Sequence, residues 1–104
     1  MIRHIVLIRF KPEVSEAQIA ALFAELGEIR AQVPGILAIT AGRSESPEKI
    51  ERGYQHGFVV DFVDWDALAA YQTHPDHQRL GAKLVASAVG GLDGILVFDL
   101  PVPL

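Results

Sequence analysis

Cysteine is absent from this 104-residue chain, and the absence excludes several kinds of site at once. Without a thiol the chain forms no disulfide, ligates no iron–sulfur cluster or zinc ion through sulfur, and has no thiolate nucleophile. A chain free of cysteine is also compatible with a reducing compartment. We therefore expect a cytoplasmic protein whose chemistry, if it has any, relies on oxygen and nitrogen groups.

Basic residues are few as well. Nine Lys and Arg stand against 13 Asp and Glu, the formal net charge is −4, and the charges are scattered along the chain. Nucleic acids and anionic membranes bind clusters or stripes of Lys and Arg, which this sequence does not contain. We expect neither of them as a partner.

Long apolar runs are also missing. The apolar stretch at residues 1–11 carries charges near both ends, has no small-residue cleavage site, and is shorter than the roughly 20 residues of a membrane helix. We read it as a strand rather than a signal peptide. Half of all residues are hydrophobic, which suffices for one packed core, and residues 1–104 are expected to form a single domain.

The hydrophobic pattern predicts seven elements. Apolar residues alternate in the strands, recur at helical spacing in the helices, and a capping box, Ser15 with Gln18, opens the first helix. The predicted elements are a strand at 2–11, a helix from 15 to about 32, strands at 36–42 and 54–62, helical pieces at 64–72 and 75–88, and a strand at 94–100. This β-α-β-β-α-β order is typical of the ferredoxin-like α+β fold, with one antiparallel four-stranded sheet.

Three of the four histidines are predicted to point inward. Alternation places His4 and His56 on the apolar faces of their strands, and helical spacing places His77 in line with Leu80 and Leu84. His74 differs, because it precedes a proline that disfavours helix at this position and suits the first turn of a new one. We interpret His74 as a cap or linker residue.

These inward histidines leave three readings open. An imidazole in an apolar cavity beside a tyrosine hydroxyl, with His77 as base and Tyr71 as donor to a substrate oxygen, could carry out acid–base catalysis. A metal site is the rival, but no element supplies two histidines at ligand spacing and no carboxylate lies in phase with them. A third reading makes them structural, bonded to one another and to backbone.

Four stretches together resemble the stress-responsive A/B barrel family, often called Dabb. They are RHIVLIRFKPEVSE, GYQHGFVVDF, AYQTHPDHQ and the closing ILVFDL, and the resemblance runs from about residue 2 to residue 100. It implies a ferredoxin-like chain that pairs through its sheet as a homodimeric α+β barrel. Ile5 and Leu7, on the second face of the first strand, would then face the partner subunit.

The resemblance also suggests a site. The family is similar to plant polyketide cyclases of the olivetolic acid cyclase type, which close a poly-β-ketone by an intramolecular aldol reaction. By that pattern His77 would be the base and Tyr71 would orient the carbonyl, while His4, His56 and Phe23 would line a pocket for a small organic ligand, polyketide-like or aromatic. No cofactor would be required. Other relatives are stable structural proteins, so a non-catalytic role remains an alternative.

Two further expectations follow from the resemblance. Some relatives hold magnesium on backbone carbonyls where the first helix ends, and the matching residues here are Arg30, Val33 and Ile36. In this topology the second helix starts near the beginning of the first strand, so His4 should lie closer than His56 to Tyr71. We therefore predict a cluster of His4, Tyr71 and His77.

Overall fold

The computed structural model describes residues 1–103, and its elements follow the predicted order. Residue 104, the last of the predicted domain, lies outside the described part. The strands and helices are β1 (Ile2–Ile8), α1 (Glu16–Ile29), β2 (Ile36–Arg43), β3 (His56–Phe62), α2 (Trp65–Thr73), α3 (Pro75–Ser87) and β4 (Ile95–Pro101). Short 3-10 turns follow α1 at Arg30–Gln32 and precede β4 at Gly91–Gly94.

All four strands form one antiparallel sheet in the order β2-β3-β1-β4. The ferredoxin-like α+β fold predicted from the element order is thereby confirmed. The register places His4 opposite Val60 of β3 and opposite Asp99 of β4, whereas His56 pairs with Ile8 at the far end of β1. The two strand histidines are therefore held at opposite ends of the sheet.

The helix ends show why the chain breaks where it does. Ser15 accepts a hydrogen bond from the Gln18 amide while the Gln18 side chain accepts one from the Ser15 amide, which is the predicted capping box. His74 closes α2 and opens α3, with Pro75 in the first turn of α3. The predicted break between the two helical pieces is confirmed.

The core lies between one face of the sheet and the three helices. Alternate residues of β1 and β3 are buried, as the alternation predicted. The largest fully buried side chains are Tyr71, Phe62, Ile8, Leu26 and Val60. β3 begins at His56 rather than Tyr54, because Tyr54 belongs to the preceding turn, where Arg9 lies over its ring and its hydroxyl donates to the Asp93 carbonyl.

Candidate functional site

Tyr71 is enclosed at the C-terminal end of α2 by two imidazoles and a phenyl ring. The ring centroids of His77, Phe62 and His4 lie 4.1, 5.1 and 5.8 Å from that of Tyr71, which is 0% exposed. Four elements contribute one ring each: His4 from β1, Phe62 from β3, Tyr71 from α2 and His77 from α3. The predicted cluster of His4, Tyr71 and His77 is present in the structure.

The Tyr71 hydroxyl is a buried polar group that forms no hydrogen bond with any residue of the range 1–103. Burial raises the pKa of this phenol well above its ordinary value, so the hydroxyl stays protonated at neutral pH. An unpaired buried donor is costly, roughly 1–3 kcal/mol, and such groups in proteins usually have a ligand or water as their partner. The hydroxyl therefore keeps a donor hydrogen that no described residue accepts.

His77 is half-buried, and its ring lies against the ring of Tyr71. Its Nδ1 lies 3.3 Å from the backbone carbonyl of Gln72, which can only accept, so Nδ1 carries the proton and Nε2 keeps its lone pair. Burial lowers the pKa of His77, and the nearby His4 and His74 act in the same direction. The neutral imidazole that a general base requires is therefore the favoured form.

This lowered pKa predicts a pH dependence. We expect the His77 ring protons to titrate by NMR with a midpoint below roughly 6.5, the value of an unperturbed histidine. Because the folded state then binds this proton less tightly than the unfolded state, His77 makes the free energy of unfolding fall as pH drops below roughly 6.5. The free energy of unfolding of the parent and of His77→Ala, measured by urea denaturation at neutral pH and at pH 5, isolates the part of the pH dependence that is due to His77. If this free energy changes equally with pH in both proteins, the prediction is wrong.

His4 is held by a carboxylate that the pattern analysis missed. Its Nδ1 lies 2.5 Å from Oδ1 of Asp99, so the ring N–H donates to the carboxylate. The expectation that no carboxylate lies in phase with the inward histidines is therefore wrong. Alternation within β4 puts Asp99 on the inner face, but only the β1–β4 register brings it opposite His4.

His56 and Phe23 lie elsewhere. The position opposite His56 on β1 is four residues beyond His4, which is roughly 13 Å along a strand. The His56 Nε2 is 3.0 Å from both carboxylate oxygens of Glu16, and this hydrogen bond is the main cause of the lowered pKa of Glu16. Phe23 contacts the rings of Phe10 and Phe58. The predicted ligand-binding residues therefore divide into two groups.

The second group borders a hollow of its own. A hollow of about 280 Å³ between α1 and the edge of β2 is lined by His56, Phe23, Glu16 and Arg43 among others, and Tyr71 does not reach it. Glu16 is also bonded to the Arg43 guanidinium at 2.9 Å. Glu16 lies in the first turn of α1, where an acidic side chain suits the helix N-terminus, so no pattern in the sequence pointed to its contact with His56.

His74 is a cap, as predicted. Its Nδ1 accepts a hydrogen bond from the Asp76 amide at 3.1 Å, which satisfies one of the free N–H groups at the start of α3. The two histidines of the segment HPDH thus have different environments, and only His77 contacts Tyr71.

The predicted magnesium residues lie where α1 gives way to β2. Arg30 belongs to the 3-10 turn, Val33 is extended and Ile36 begins β2. However, the Arg30 guanidinium donates to the Leu37 carbonyl at 2.7 Å and so places a positive charge at this turn. That charge opposes a second cation, and these residues do not fit a magnesium ion well. Within residues 1–103, no group of three or more His, Asp or Glu side chains is arranged to hold a metal.

Comparison with known proteins decides the family. A sequence model described as the Stress responsive A/B Barrel Domain, Dabb, matches residues 2–102. The chain belongs to this family. In the part of the chain described here, no helix is long and apolar enough to cross a membrane.

Two relatives and one solved structure show the range of the family. Olivetolic acid cyclase of Cannabis sativa is 26% identical over 80 residues, which cover 77% of this chain and 79% of the cyclase. A stress-response A/B barrel domain-containing protein of Arabidopsis thaliana is 25% identical over 101 residues, 96% of this chain and 85% of the relative. A dimeric ferredoxin-like protein of unknown function from Jannaschia sp. CCS1 has a TM-score of 0.91 and 38% identity, covering 97% of this chain and 98% of the other.

Proposed function

We propose that this Dabb protein binds a small organic carbonyl compound, polyketide-like or aromatic, at the Tyr71–His77 pair. The observation that carries the proposal is the Tyr71 hydroxyl, fully buried and without a hydrogen-bond partner among the described residues, next to a neutral imidazole. A carbonyl oxygen of the ligand supplies the missing acceptor. His77, which is half-buried, marks the side from which the ligand approaches.

The same pair can perform a reaction without a cofactor. Nε2 of His77 takes a proton from a carbon flanked by two carbonyls, and the resulting enolate attacks a second carbonyl carbon of the same molecule. Tyr71 donates its O–H to the oxygen that gains negative charge as the new C–C bond forms. This is intramolecular aldol closure, and the similarity to olivetolic acid cyclase supports it as the reaction class.

A homodimer is part of the proposal. The solved relative from Jannaschia is described as dimeric, and the sheet face away from the helices of this chain exposes large apolar side chains, among them Leu96, Phe98 and Leu100. Pairing of two chains through this face would cover those side chains.

A purely structural role is supported by a different observation. His4 is hydrogen-bonded to the carboxylate of Asp99, and His56 is hydrogen-bonded to the carboxylate of Glu16. Such pairs give a buried imidazole a hydrogen-bond partner without any ligand. If His77 were structural too, His77→Ala would lower stability by about 1–3 kcal/mol and change nothing else.

Proton exchange tests the proposal directly. The purified protein is mixed with 2,4-pentanedione in D₂O, and the loss of the central-carbon proton signal is followed by NMR. We expect exchange faster than in buffer alone and faster than with heat-denatured protein, together with shifts of the His77 ring signals on titration with the diketone. Exchange at the buffer rate combined with unchanged His77 signals contradicts it.

A further inference from the structure

His74 holds the joint between α2 and α3 through three hydrogen bonds. Its backbone N–H donates to the Tyr71 carbonyl at 3.2 Å, and its carbonyl accepts from the Gln78 amide at 3.0 Å. Its side-chain Nδ1 accepts from the Asp76 amide at 3.1 Å. Asp76 and Gln78 are the two residues that flank His77. The three bonds therefore fix the start of α3 relative to the last turn of α2, and with it the contact between the rings of Tyr71 and His77.

An imidazole is not one of the usual N-cap groups of a helix. Serine, threonine, asparagine and aspartate are the common N-caps, and their oxygen atoms accept a hydrogen bond at any pH near neutrality. Nδ1 of an imidazole accepts only while it carries no proton, and histidine is the side chain whose charge ordinarily changes between about pH 5 and 8. Of the three bonds at His74, only the side-chain bond therefore depends on pH in this range.

The carboxylate of Asp76 does not restore this bond. Its Oδ2 lies 3.9 Å from Nδ1 of His74, and its Oδ1 is bound to the Arg79 guanidinium. A protonated His74 ring can pair with the carboxylate, but Nδ1 is then a donor and the Asp76 amide still lacks its acceptor. A positive charge at this position also meets the positive end of the α3 dipole. Protonation of His74 therefore weakens the first turn of α3.

The other titratable groups near this joint act on His77 or lie in the groove between α1 and α3. The charge of a protonated His74 lowers the pKa of His77. From β1, His4 acts on His77 in the same direction and is itself hydrogen-bonded to Asp99. The groove beside Asp76 is lined by charged side chains of both helices, and His74 does not border it: Glu25, Glu28, Arg79 and Lys83. Protonation of His74 thus has two opposite consequences for His77, because the charge keeps the His77 ring neutral while the lost bond loosens the turn that holds it.

We propose that His74 is a pH-sensitive cap that assembles the Tyr71–His77 pair only while its own ring is neutral. When Nδ1 of His74 takes up a proton, the Asp76 amide loses its acceptor, the first turn of α3 frays, and His77 moves away from the ring of Tyr71. This inference rests on the proposed function, in which the two rings act together, and adds control of that pair by pH. His74 itself contacts no ligand and transfers no proton to one.

Two variants of His74 represent the two states of the cap. His74→Asn keeps an oxygen acceptor that does not titrate, and His74→Ala has no side-chain acceptor at any pH. Hydrogen exchange of the Asp76 and Gln78 amides is followed by NMR and corrected for its intrinsic pH dependence. In the parent it should become roughly 2- to 30-fold faster from about pH 8 to about pH 5, the range that loss of an N-cap produces. We expect no such change in His74→Asn, and fast amide exchange at both pH values in His74→Ala.

The pH profile of 2,4-pentanedione exchange tests whether the cap controls the pair. The parent and His74→Asn should be equally active at about pH 8, and His74→Asn should keep its rate to a lower pH than the parent. If His74 acted on His77 through charge alone, His74→Asn would lose its rate at a higher pH than the parent, because the pKa of His77 would rise. That order of the two profiles, or coinciding profiles, overturns the inference.

The amide measurement keeps the cap testable apart from the proposed function. If the parent does not accelerate diketone exchange, the proposed function fails, whereas the Asp76 and Gln78 amides still decide whether the cap responds to pH. An equal response of these amides in the parent and in His74→Asn overturns the pH-sensitive cap, whatever the diketone result.

Discussion

Replacing His77 with alanine is expected to lower the protein-catalysed exchange rate of 2,4-pentanedione by about 10²–10⁴-fold, the usual contribution of a general base. Of the two imidazoles beside Tyr71, His77 is the one that a ligand can reach, because His4 is only 4% exposed and is tied to Asp99. His77 is half-buried, so its loss leaves the core in place. Exchange rates by NMR and the urea midpoint, measured on the same sample, separate the two effects.

Two companion variants make this result specific. Tyr71→Phe removes only the unpaired hydroxyl, so exchange should fall while stability holds or rises, because a buried donor without a partner in the described chain disappears. His74→Asn removes the neighbouring imidazole but keeps a good N-cap for α3, and should leave the exchange rate unchanged. Equal losses in His74→Asn and His77→Ala would refute the assignment of His77 as the base.

Replacing Phe62 with alanine is expected to cost about 3–5 kcal/mol of unfolding free energy, the range for a large aromatic side chain removed from a core. Phe62 is 0% exposed, and its ring packs on both Tyr71 and His4, with centroids 5.1 and 6.0 Å away. A domain of this size is stable by only about 5–15 kcal/mol, so much of the total would be lost. Urea denaturation followed by circular dichroism measures the change.

Leu92→Ala is the control for this loss. Leu92 is 69% exposed on the turn before β4, and its truncation should change stability by less than about 0.5 kcal/mol. If Phe62→Ala lowers the free energy of unfolding by less than about 1 kcal/mol, the ring of Phe62 is not packed in the core as the structure places it. Because Phe62 also supports the ring of Tyr71, any Phe62→Ala protein that remains folded should show slower diketone exchange than the parent.

The strands and helices were predictable because their signals are local. Alternation in β1 and β3, the Ser15 capping box and the proline after His74 each depend on a few neighbouring residues, and each prediction was confirmed. The approach of His4 to Tyr71 was predictable as well, since strand order alone places the start of β1 beside the end of β3. Tyr54 fits the alternating pattern of the predicted strand but lies outside β3, because a contact with Arg9, distant in sequence, holds it in the turn.

The partners of the histidines could not be predicted in the same way. Asp99 reaches His4 across 95 positions of the chain, and Glu16 reaches His56 across 40. When the carboxylate lies on another strand or at a helix end, the residues near the histidine in the sequence show no pattern that reveals the hydrogen bond. The resemblance suggested His56 and Phe23 as lining residues of the same ligand pocket, whereas the structure places His56 at the opposite end of the sheet from His4 and puts Phe23 beside the same separate hollow as His56.

The sequence by itself determined the element order, the family and the inward direction of three histidines, because hydrophobic periodicity and capping act between residues close in the chain. Only the tertiary structure decided which groups meet. Strand register paired His4 with Asp99, the turn at His74 brought His77 against Tyr71, and burial left the Tyr71 hydroxyl without a partner in the described chain. The physical reason is that a pKa or a hydrogen bond depends on distances of a few ångströms, and those distances are set by packing between elements far apart in sequence.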